Sequence, residues 1–355
     1  MFLKQKMQMS FNKGKSVLFY LAALIACIGI IKIIRNNEVR ISFYYWKSTF
    51  KLTDHDRELL KELSCKRMYV HFFDVDKKNG NPEAFPLANI RFNESFPEHL
   101  NLVPVVYITQ RTLNNAGREE LKQLANHVYV LAKQMSANAF TQWAEFQIDC
   151  DWTEENKEAY FNFLIFLKKE LPPDIPLSAT IRLHQIKYFE RTGVPPVDRG
   201  TLMFYNMGEI KSFTFKNSIY DYATADAYVE RISKYKLPLD YALPAFGWGL
   251  HYRLNKLQSI LQETELNEIK KSDLFSKYQN TFICKRAGFL NETYYLKGDV
   301  VKEEFVDYEL CRKAARQLTK HTNSDEFELI FYHLGSTQIQ NYAPKQLKDI
   351  GNLFN

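Results

Sequence analysis

Short apolar runs of strand length alternate with segments of helical periodicity along most of the chain. The apolar runs are rich in branched and aromatic residues, and the segments between several of them place apolar side chains at helical spacing. The predicted strands are Arg67–Val75, Leu102–Ile108, residues 145–151, Leu177–His184, Thr201–Asn206, Leu239–Phe246 and Phe327–His333, and the predicted helices include Asp54–Leu63, Arg118–Met135, Ala223–Tyr235, Asn255–Gln262 and Asp307–Thr319. Seven strands, with an eighth plausible on length, favour a closed α/β fold, the (β/α)8 (TIM) barrel, over an open sheet for residues 41–355.

Two segments do not fit the alternation. The stretch from Ile41 to Lys51 is interpreted as a connection that leads into the first helix. Between about residues 275 and 305, the strand-like runs Thr281–Lys285 and Thr293–Lys297 flank a glycine and an asparagine, which are residues typical of turns. This part of the chain is predicted to be a small β-hairpin insertion before the last barrel strand.

Residues 1–40 carry a membrane signal. Four lysines precede an almost wholly apolar run from Ser16 to Ile34, which is about the length that crosses the hydrocarbon core as a helix. An uncleaved transmembrane anchor is the preferred interpretation, and two alternatives stay open. Leu24–Cys27 is similar to a lipobox, which implies a lipoprotein cleaved before Cys27, and an ordinary cleaved signal is the other. The domain that follows is therefore expected outside the cytoplasm, in a bacterial periplasm or at the cell surface, with the membrane as a partner.

Composition narrows the partners and cofactors. The 355 residues are 46% hydrophobic and 25% charged, as in a globular chain with a full-sized core. The net charge is only +6, and basic residues are interspersed with acidic ones, so nucleic acid is not expected as a partner. The five cysteines lack the spacing of a metal site, and the glycines form no phosphate loop. Neither a metal nor another cofactor is predicted.

Candidate chemistry is concentrated in residues 146–153, Phe-Gln-Ile-Asp-Cys-Asp-Trp-Thr. Side chains alternate along a strand, so Asp149 and Asp151 are expected on one face, and close packing of like charges should raise the pKa of one of them. Thr153 is typical of a helix N-cap, which places the aspartates at the carboxyl end of a strand, where such barrels bind ligands. The alternative is that the two carboxylates cap the following helix or bind loop amides.

Polar and aromatic residues are also expected at the ends of other strands. Barrel interiors are ordinarily filled by apolar branched side chains, so this clustering predicts a ligand basin. Carboxylates beside aromatic faces suit a sugar-processing site, in which carboxyls transfer a proton and stabilise positive charge while rings stack on the sugar. The predicted basin residues are Asp149, Asp151 and Tyr205 with Asp74, Asp76, Arg182, His184, Asn206, Trp248, Tyr252 and His333. Structural roles stay open for Arg182 as a neutralising partner, His184 as a loop residue and Trp248 as a core residue.

Three motifs resemble those of family-18 glycoside hydrolases, the chitinase-like TIM barrels. Ile148–Trp152 resembles the core of the family's acidic motif D-G-I-D-x-D-W-E, Met203–Asn206 is similar to its M-x-Y-D/N strand, and Leu243–Gly247 is similar to its P-x-Y-G strand. The three motifs occur in the family's order. The resemblance implies a TIM barrel, a glycan or oligosaccharide ligand, and a substrate-orienting role for Tyr205, whose counterpart assists the acetamido group.

The sequence departs from the family pattern at the catalytic acid. Thr153 stands where the family has glutamate, and Phe146 and Gln147 replace the first aspartate and glycine of the motif. Glu154 lies one residue too late to substitute without a shift of the backbone. The chain is also similar to uncharacterised bacterial barrel proteins of extracytoplasmic type, which supports the fold more than an activity.

Two functional hypotheses follow. In the first, the chain is a divergent glycoside hydrolase in which Asp149 and Asp151 are the catalytic carboxylates and Tyr205 orients the substrate. In the second, the same fold is a non-catalytic carbohydrate-binding or envelope-interaction protein. Thr153 favours the second hypothesis, whereas the acidic strand Phe73–Asp76 favours the first by supplying a replacement carboxylate.

Overall fold

Eight parallel strands close into a barrel in the computed structural model, which describes residues 39–77, 84–87, 89–137, 142–324 and 326–355. Each strand pairs in parallel with the next one along the chain, and the last pairs with the first. The strands are β1 (Arg40–Tyr45), β2 (Arg67–Asp76), β3 (Asn101–Ile108), β4 (Phe146–Asp149), β5 (Leu177–Arg182), β6 (Arg199–Met203), β7 (Leu239–Pro244) and β8 (Glu328–Tyr332). The predicted TIM barrel is confirmed.

The first barrel strand lies in the segment that was interpreted as a connection. Residues 41–45 of β1 are all buried, and β1 pairs with β2 through Phe43 and Met68 and with β8 through Ser42 and Ile330. A barrel strand is covered on both faces, so it forms a continuous apolar run without the alternation of a half-exposed strand. The interpretation of Ile41–Lys51 as a connecting stretch is therefore wrong for residues 41–45, and this strand is the eighth.

Helices pack around the barrel and begin at recognisable caps. Asp307 accepts a hydrogen bond from the amide of Leu310 at the start of helix Tyr308–Leu318, and Cys311, Ala314, Ala315 and Leu318 form its buried stripe. The helices are Asp54–Glu62, Gln110–Leu113, Arg118–Ala137, Lys157–Glu170, Leu183–Lys187, Phe189–Thr192, Tyr222–Val229, Glu263–Lys271, Tyr308–Leu318, Thr337–Gln340 and Pro344–Gly351, with 3-10 turns at Ile232–Lys234 and Asn352–Phe354. After β2, the described residues form two short strands, Phe85–Leu87 and Arg91–Phe92, and the latter pairs with Thr49–Phe50.

The insertion between β7 and β8 is larger than predicted and covers residues 247–305. An antiparallel sheet forms it, with the strand order Lys256–Leu261, Gly247–Arg253, Val300–Phe305, Thr281–Cys284 and Phe275–Tyr278, beside the hairpin Gly288–Leu290 and Thr293–Tyr295. A separate apolar cluster that includes Leu266, Phe275 and Val301 stabilises it. The predicted start near residue 275 and the predicted helix Asn255–Gln262 are wrong, because Lys256–Leu261 is a strand in this sheet.

Ion pairs close the barrel at the amino ends of its strands. The pairs are Arg40–Glu328 at 2.9 Å, Arg67–Glu145 at 3.1 Å and Arg199–Asp240 at 2.9 Å. Burial is the main cause that raises the pKa of Asp240, to about 7, and Glu145 is raised for the same reason. This end of the barrel therefore holds carboxyl groups that gain protons at unusually high pH.

Within the described residues, no helix is long and apolar enough to cross a membrane. The predicted membrane segment, Ser16 to Ile34, lies outside the residues that the structure describes.

Candidate functional site

Strand β4 directs a series of polar side chains into the barrel. Gln147 accepts a hydrogen bond from the hydroxyl of Tyr44 on β1 at 2.5 Å and donates one to Thr201 on β6 at 2.9 Å. Neither β1 nor β6 neighbours β4, so Gln147 meets them across the barrel interior. The period of two along a strand turns Asp149 to the same side. Asp151 follows just beyond the end of β4, at the mouth formed by the carboxyl ends of the strands.

Asp149 is a buried carboxyl in this mouth. Its side chain accepts a hydrogen bond from the hydroxyl of Thr180 on β5 at 2.5 Å, and the residue is only 4% exposed. Burial is the largest effect on the pKa of Asp149 and raises it to about 6; Asp151 adds to the rise, while Arg182 opposes it. The sequence predicted that the like charge of the neighbouring aspartate would raise this pKa, and that effect is smaller than the effect of burial. A carboxyl with this pKa can hold a proton close to neutral pH.

Asp151 forms an ion pair with Arg182 at the rim of the mouth. The guanidinium donates from Nε to one carboxylate oxygen at 2.5 Å and from Nη2 to the other at 3.2 Å. The Asp151 side chain is 35% exposed, so it is more open to a ligand than Asp149. Arg182 therefore neutralises Asp151, which is one of the roles left open by the sequence.

Aromatic rings from several strand ends form a wall beside these carboxylates. The ring of Tyr332, at the end of β8, lies 5.7 Å from Trp46, 5.2 Å from Tyr205 and 5.2 Å from Phe246, measured between ring centroids. Trp46 and Tyr332 are partly exposed, whereas Tyr205 and Phe246 are buried. Such a wall offers flat apolar surfaces on which a sugar ring can pack.

The hydroxyl of Tyr205 is buried and has no hydrogen-bond partner among the residues that the structure describes. Burial raises the pKa of Tyr205 well above its ordinary value, so the group is a neutral phenol that can donate. A buried donor without an acceptor costs free energy, which a ligand oxygen at this position would recover. The ring of Tyr205 packs on that of Tyr332 at 5.2 Å, so Tyr205 belongs to the wall of the mouth.

Trp46 and His71 are site residues that the sequence interpretation missed. His71, on β2, is 6% exposed, and its Nε2 atom lies 2.7 Å from the carboxylate of Asp74. The indole of Trp46 stacks on the imidazole of His71 at 4.4 Å. His71 also helps to lower the pKa of Asp149, so Asp74 is connected to the mouth through His71. The apolar run at residues 41–45 is the sequence signal that could have identified Trp46, because a strand there places Trp46 at its carboxyl end.

The structure places two predicted basin residues in other contacts. Asp76 accepts a hydrogen bond from Thr109 at 2.6 Å and is paired with Arg111, both from the segment after β3. Tyr252 is 1% exposed within the insertion, and its hydroxyl donates to the carbonyl of Ile210 at 2.7 Å. Asp76 thus fixes the segment that follows β3, and Tyr252 attaches the insertion to the segment after β6.

The remaining predicted residues lie around the rim. His184 and Asn206 are exposed. Trp248 is half-buried, packs on Phe246 at 5.5 Å and donates its indole N–H to Glu304 at 3.3 Å. His333 follows Tyr332 directly, and burial lowers the pKa of its imidazole to about 4, so the ring is neutral. Of these four, Trp248 and His333 are joined to the aromatic wall by ring contacts, His333 through Tyr332 at 5.1 Å.

The described residues contain no group of three or more His, Cys, Asp or Glu side chains arranged to hold a metal ion. The four cysteines in the described part of the chain are free and buried. Burial raises the pKa of the Cys150 thiol, beside the two aspartates, well above its ordinary value. A thiol in that state is a poor nucleophile, so carboxylates, an imidazole and a phenol are the groups available for chemistry at the mouth.

Solved structures of chitinase-like barrels have similar folds. The C-terminal domain of a putative chitinase from Desulfitobacterium hafniense DCB-2 aligns with a TM-score of 0.56 at 10% identity, over 90% of this chain and 100% of that one. A class V chitinase from Pseudomonas fluorescens Pf-5 aligns with a TM-score of 0.52 at 12% identity, over 88% and 99% of the two chains. The spore cortex-lytic enzyme SleL of Bacillus megaterium QM B1551 aligns with a TM-score of 0.51 at 13% identity, over 88% and 74%.

No protein-family model matches the sequence, and no curated protein matches it. The structural likeness supports the fold that the three motifs predicted. The chain folds as a TIM barrel similar to those of the solved chitinase structures.

Proposed function

We propose that this protein is a divergent glycoside hydrolase whose mouth carboxylates act on a glycan. The observation that carries the proposal is the buried carboxyl of Asp149, with a pKa of about 6, next to the Asp151–Arg182 ion pair and the aromatic wall. Two carboxyl groups in different electrostatic environments are the usual arrangement for acid and base work on a glycosidic bond. The chitinase-like fold agrees with a glycan ligand but does not by itself determine the chemistry.

Each group has a role that follows from its surroundings. Asp149 carries the transferable proton, because burial keeps part of its population protonated near neutral pH. Asp151 is the more exposed carboxylate, and it stabilises the positive charge that develops at the anomeric carbon. Tyr205 donates its unpartnered hydroxyl to a polar group of the substrate and so orients it.

A second candidate function is glycan recognition without turnover. Arg182 occupies both oxygens of Asp151, and Thr153 stands where the resembled family has its catalytic glutamate. If the ion pair stays closed with a ligand bound, the carboxylate of Asp151 is not free to act on the glycosidic bond. The aromatic wall would still bind the sugar, so such a protein would recognise a glycan and leave it intact.

We also propose that the barrel is tethered to a membrane and lies outside the cytoplasm. The apolar run from Ser16 to Ile34, preceded by four lysines, supports this placement. Fractionation and protease treatment of intact cells test it. We expect the protein to stay with the membrane fraction until detergent releases it. We also expect external protease to cleave the barrel once any outer membrane is permeabilised. A barrel that is protected from protease, or that is soluble without detergent, would contradict the proposal.

Full-length protein in detergent, offered N-acetylated and plain oligosaccharides, tests the function. New reducing ends measured by mass spectrometry support the hydrolase, and calorimetric binding without product supports recognition alone. Trp46→Ala, which removes a ring of the wall, should weaken binding, whereas Trp143→Ala, whose ring packs on Tyr129 and Phe146, should not. Absence of binding to every oligosaccharide would contradict both candidate functions.

A further inference from the structure

A cavity lies between the insertion and the helix Tyr308–Leu318. Its volume is about 790 Å³, which is within the range of small-ligand sites. Its walls come from Lys216 and Asn217 in the segment after β6, from residues 303–305 at the end of the insertion, and from the helix. Three separate parts of the chain therefore form one concave surface.

The charges that line this cavity are not balanced by the protein. The basic side chains are Lys216, Arg312, Lys313 and Arg316, and the acidic ones are Glu303, Glu304, Asp307 and Glu309. Lysines from outside the lining already pair with two of the acids: Lys270 lies 2.6 Å from Glu303, and Lys302 lies 2.7 Å from Glu304. Asp307 caps the helix through the amide of Leu310 at 2.9 Å. That hydrogen bond does not neutralise Asp307, so among the described residues Asp307 and Glu309 are left to oppose four cations.

Donor groups in the cavity lack acceptors. The Nε atom of Arg312 is shielded from water and has no hydrogen-bond partner in the described part of the chain. Lys313 lies over the ring of Tyr222 at 4.9 Å and forms no ion pair with a carboxylate among the described residues. A shielded arginine donor without an acceptor costs free energy, and an oxyanion is the acceptor whose shape and charge match a guanidinium group.

The cavity adjoins the candidate active site through Glu304 and Trp248. Glu304 lines the cavity and accepts a hydrogen bond from the indole of Trp248 at 3.3 Å. Trp248 packs in turn on Phe246, a ring of the mouth wall, at 5.5 Å. The lining of the cavity and the aromatic wall of the mouth are therefore linked through these two residues.

We infer that this cavity is a subsite for an oxyanion, the carboxylate or phosphate group of an acidic glycan whose uncharged part occupies the barrel mouth. The glycan part of this inference rests on the proposed function. The oxyanion part rests on the cavity and its unpaired cations alone. Arg312 and Arg316, one turn apart on the same helix, supply the planar donors that bind an oxyanion in pairs.

Calorimetric titration of full-length protein in detergent tests the inference with tetragalacturonate, chitotetraose and inorganic phosphate. Arg312→Gln and Arg316→Gln should each weaken tetragalacturonate binding about tenfold, as loss of a charge-assisted hydrogen bond does, and leave chitotetraose unchanged. Lys122→Gln, an exposed charge on helix Arg118–Ala137, controls for net charge and should have no effect. Lys216 lines the same cavity but does not belong to the helix. Lys216→Gln therefore tests the subsite even if the arginine variants disturb the folding of the helix.

The outcomes separate this inference from the proposed function. Equal affinity of tetragalacturonate for wild type and for the arginine and lysine variants of the cavity would overturn the subsite, even if chitotetraose binds. Phosphate that competes with tetragalacturonate and needs Arg312 identifies phosphate as an accepted group. Phosphate binding that needs Arg312 and Arg316, with no binding of either oligosaccharide, would support the oxyanion site and contradict the proposed function.

Discussion

The guanidinium group of Arg182 binds the carboxylate of Asp151 through both Nε and Nη2, at 2.5 and 3.2 Å. The same cation is the largest of the influences that lower the pKa of Asp149, against the larger effect of burial. One arginine at the end of β5 therefore acts on both carboxyl groups of the mouth. The electrostatic difference between the two carboxyl groups depends on it.

Replacing Arg182 with glutamine should raise the pKa of Asp149 further. The carboxyl loses the cation that lowers its pKa most while its burial is kept, so its titration should move to higher pH by about one unit. NMR titration with labelled aspartate measures the shift directly. Arg191→Gln is the matched control, because Arg191 pairs with Glu154 where both side chains are about half exposed or more. An Asp149 titration that is the same in wild type and Arg182→Gln would contradict the assignment.

Removing the hydroxyl of Tyr205 should impair ligand binding without unfolding the protein. The hydroxyl has no partner in the described part of the chain, so Tyr205→Phe should change the free energy of unfolding by less than about 1 kcal/mol. Oligosaccharide affinity or turnover should fall about tenfold, because the substrate loses a donor.

Tyr235→Phe is the control for this prediction. The hydroxyl of Tyr235 is also buried and has no hydrogen-bond partner among the described residues, but its ring packs on Phe189 and not in the aromatic wall. Thermal unfolding and calorimetric titration of both variants make the comparison. The role of Tyr205 as an orienting group fails if the two variants bind oligosaccharides equally well.

The position of the acidic pair could be predicted from sequence because local rules determine it. Side-chain alternation fixes the common direction of Asp149 and Asp151, and a strand that ends before a helix fixes their place at the mouth. A raised pKa was predicted for one of the two aspartates without saying which, and burial by surrounding strands, the main cause of the rise at Asp149, depends on tertiary packing. Likewise, Arg111 reaches Asp76 from a different strand connection, which no local pattern indicates.

Two misassignments have physical reasons. Strand β1 is covered on both faces, so its sequence lacks the alternation that marks a half-exposed strand. Lys256–Leu261 has apolar residues at positions 257, 260 and 261, a spacing that fits one face of a helix as well as an edge strand. In the structure, pairing with Gly247–Arg253 decides in favour of the strand.

The protein should be most stable near pH 4. Asp149 and Asp240 have pKa values of about 6 and about 7 in the folded state, above the ordinary value of an aspartate, so the folded protein binds more protons than the unfolded chain between about pH 4 and 7. Stability therefore falls as pH rises through that window, by about 1.4 kcal/mol for each unit by which the pKa of a carboxyl group is raised. Below pH 4 the sign reverses, because Asp299, with a pKa of about 2, loses its charge beside Arg253.

Urea unfolding between pH 3 and 8 measures this profile. Asp240→Asn should flatten the stability profile between pH 6 and 7, because the asparagine side chain does not titrate. Its oxygen can still accept the hydrogen bond that the backbone N–H of Glu328 donates to Asp240 at 2.7 Å. A profile of Asp240→Asn that runs parallel to wild type throughout would show that Asp240 does not carry the raised pKa.

Tyr252→Phe should destabilise the protein without changing its affinity for oligosaccharides. The variant loses one hydrogen bond, from the Tyr252 hydroxyl to the carbonyl of Ile210, and keeps the ring contact with Phe213. The expected loss is about 1 kcal/mol in the free energy of unfolding. Thermal unfolding beside a binding titration separates the two effects. A weaker affinity at unchanged stability would restore the ligand-binding role that the sequence suggested for Tyr252.

Oligosaccharide turnover by wild type, Asp149→Asn and Asp151→Asn is the most direct test of the mouth as an active site. Both substitutions keep the size of the side chain, and Asp149→Asn keeps an acceptor for Thr180. If the carboxyls do the chemistry, wild type releases new reducing ends, and each variant loses at least about a hundredfold in rate while it still binds the oligosaccharide. Cleavage at the wild-type rate by both variants would contradict the catalytic role of these carboxyls.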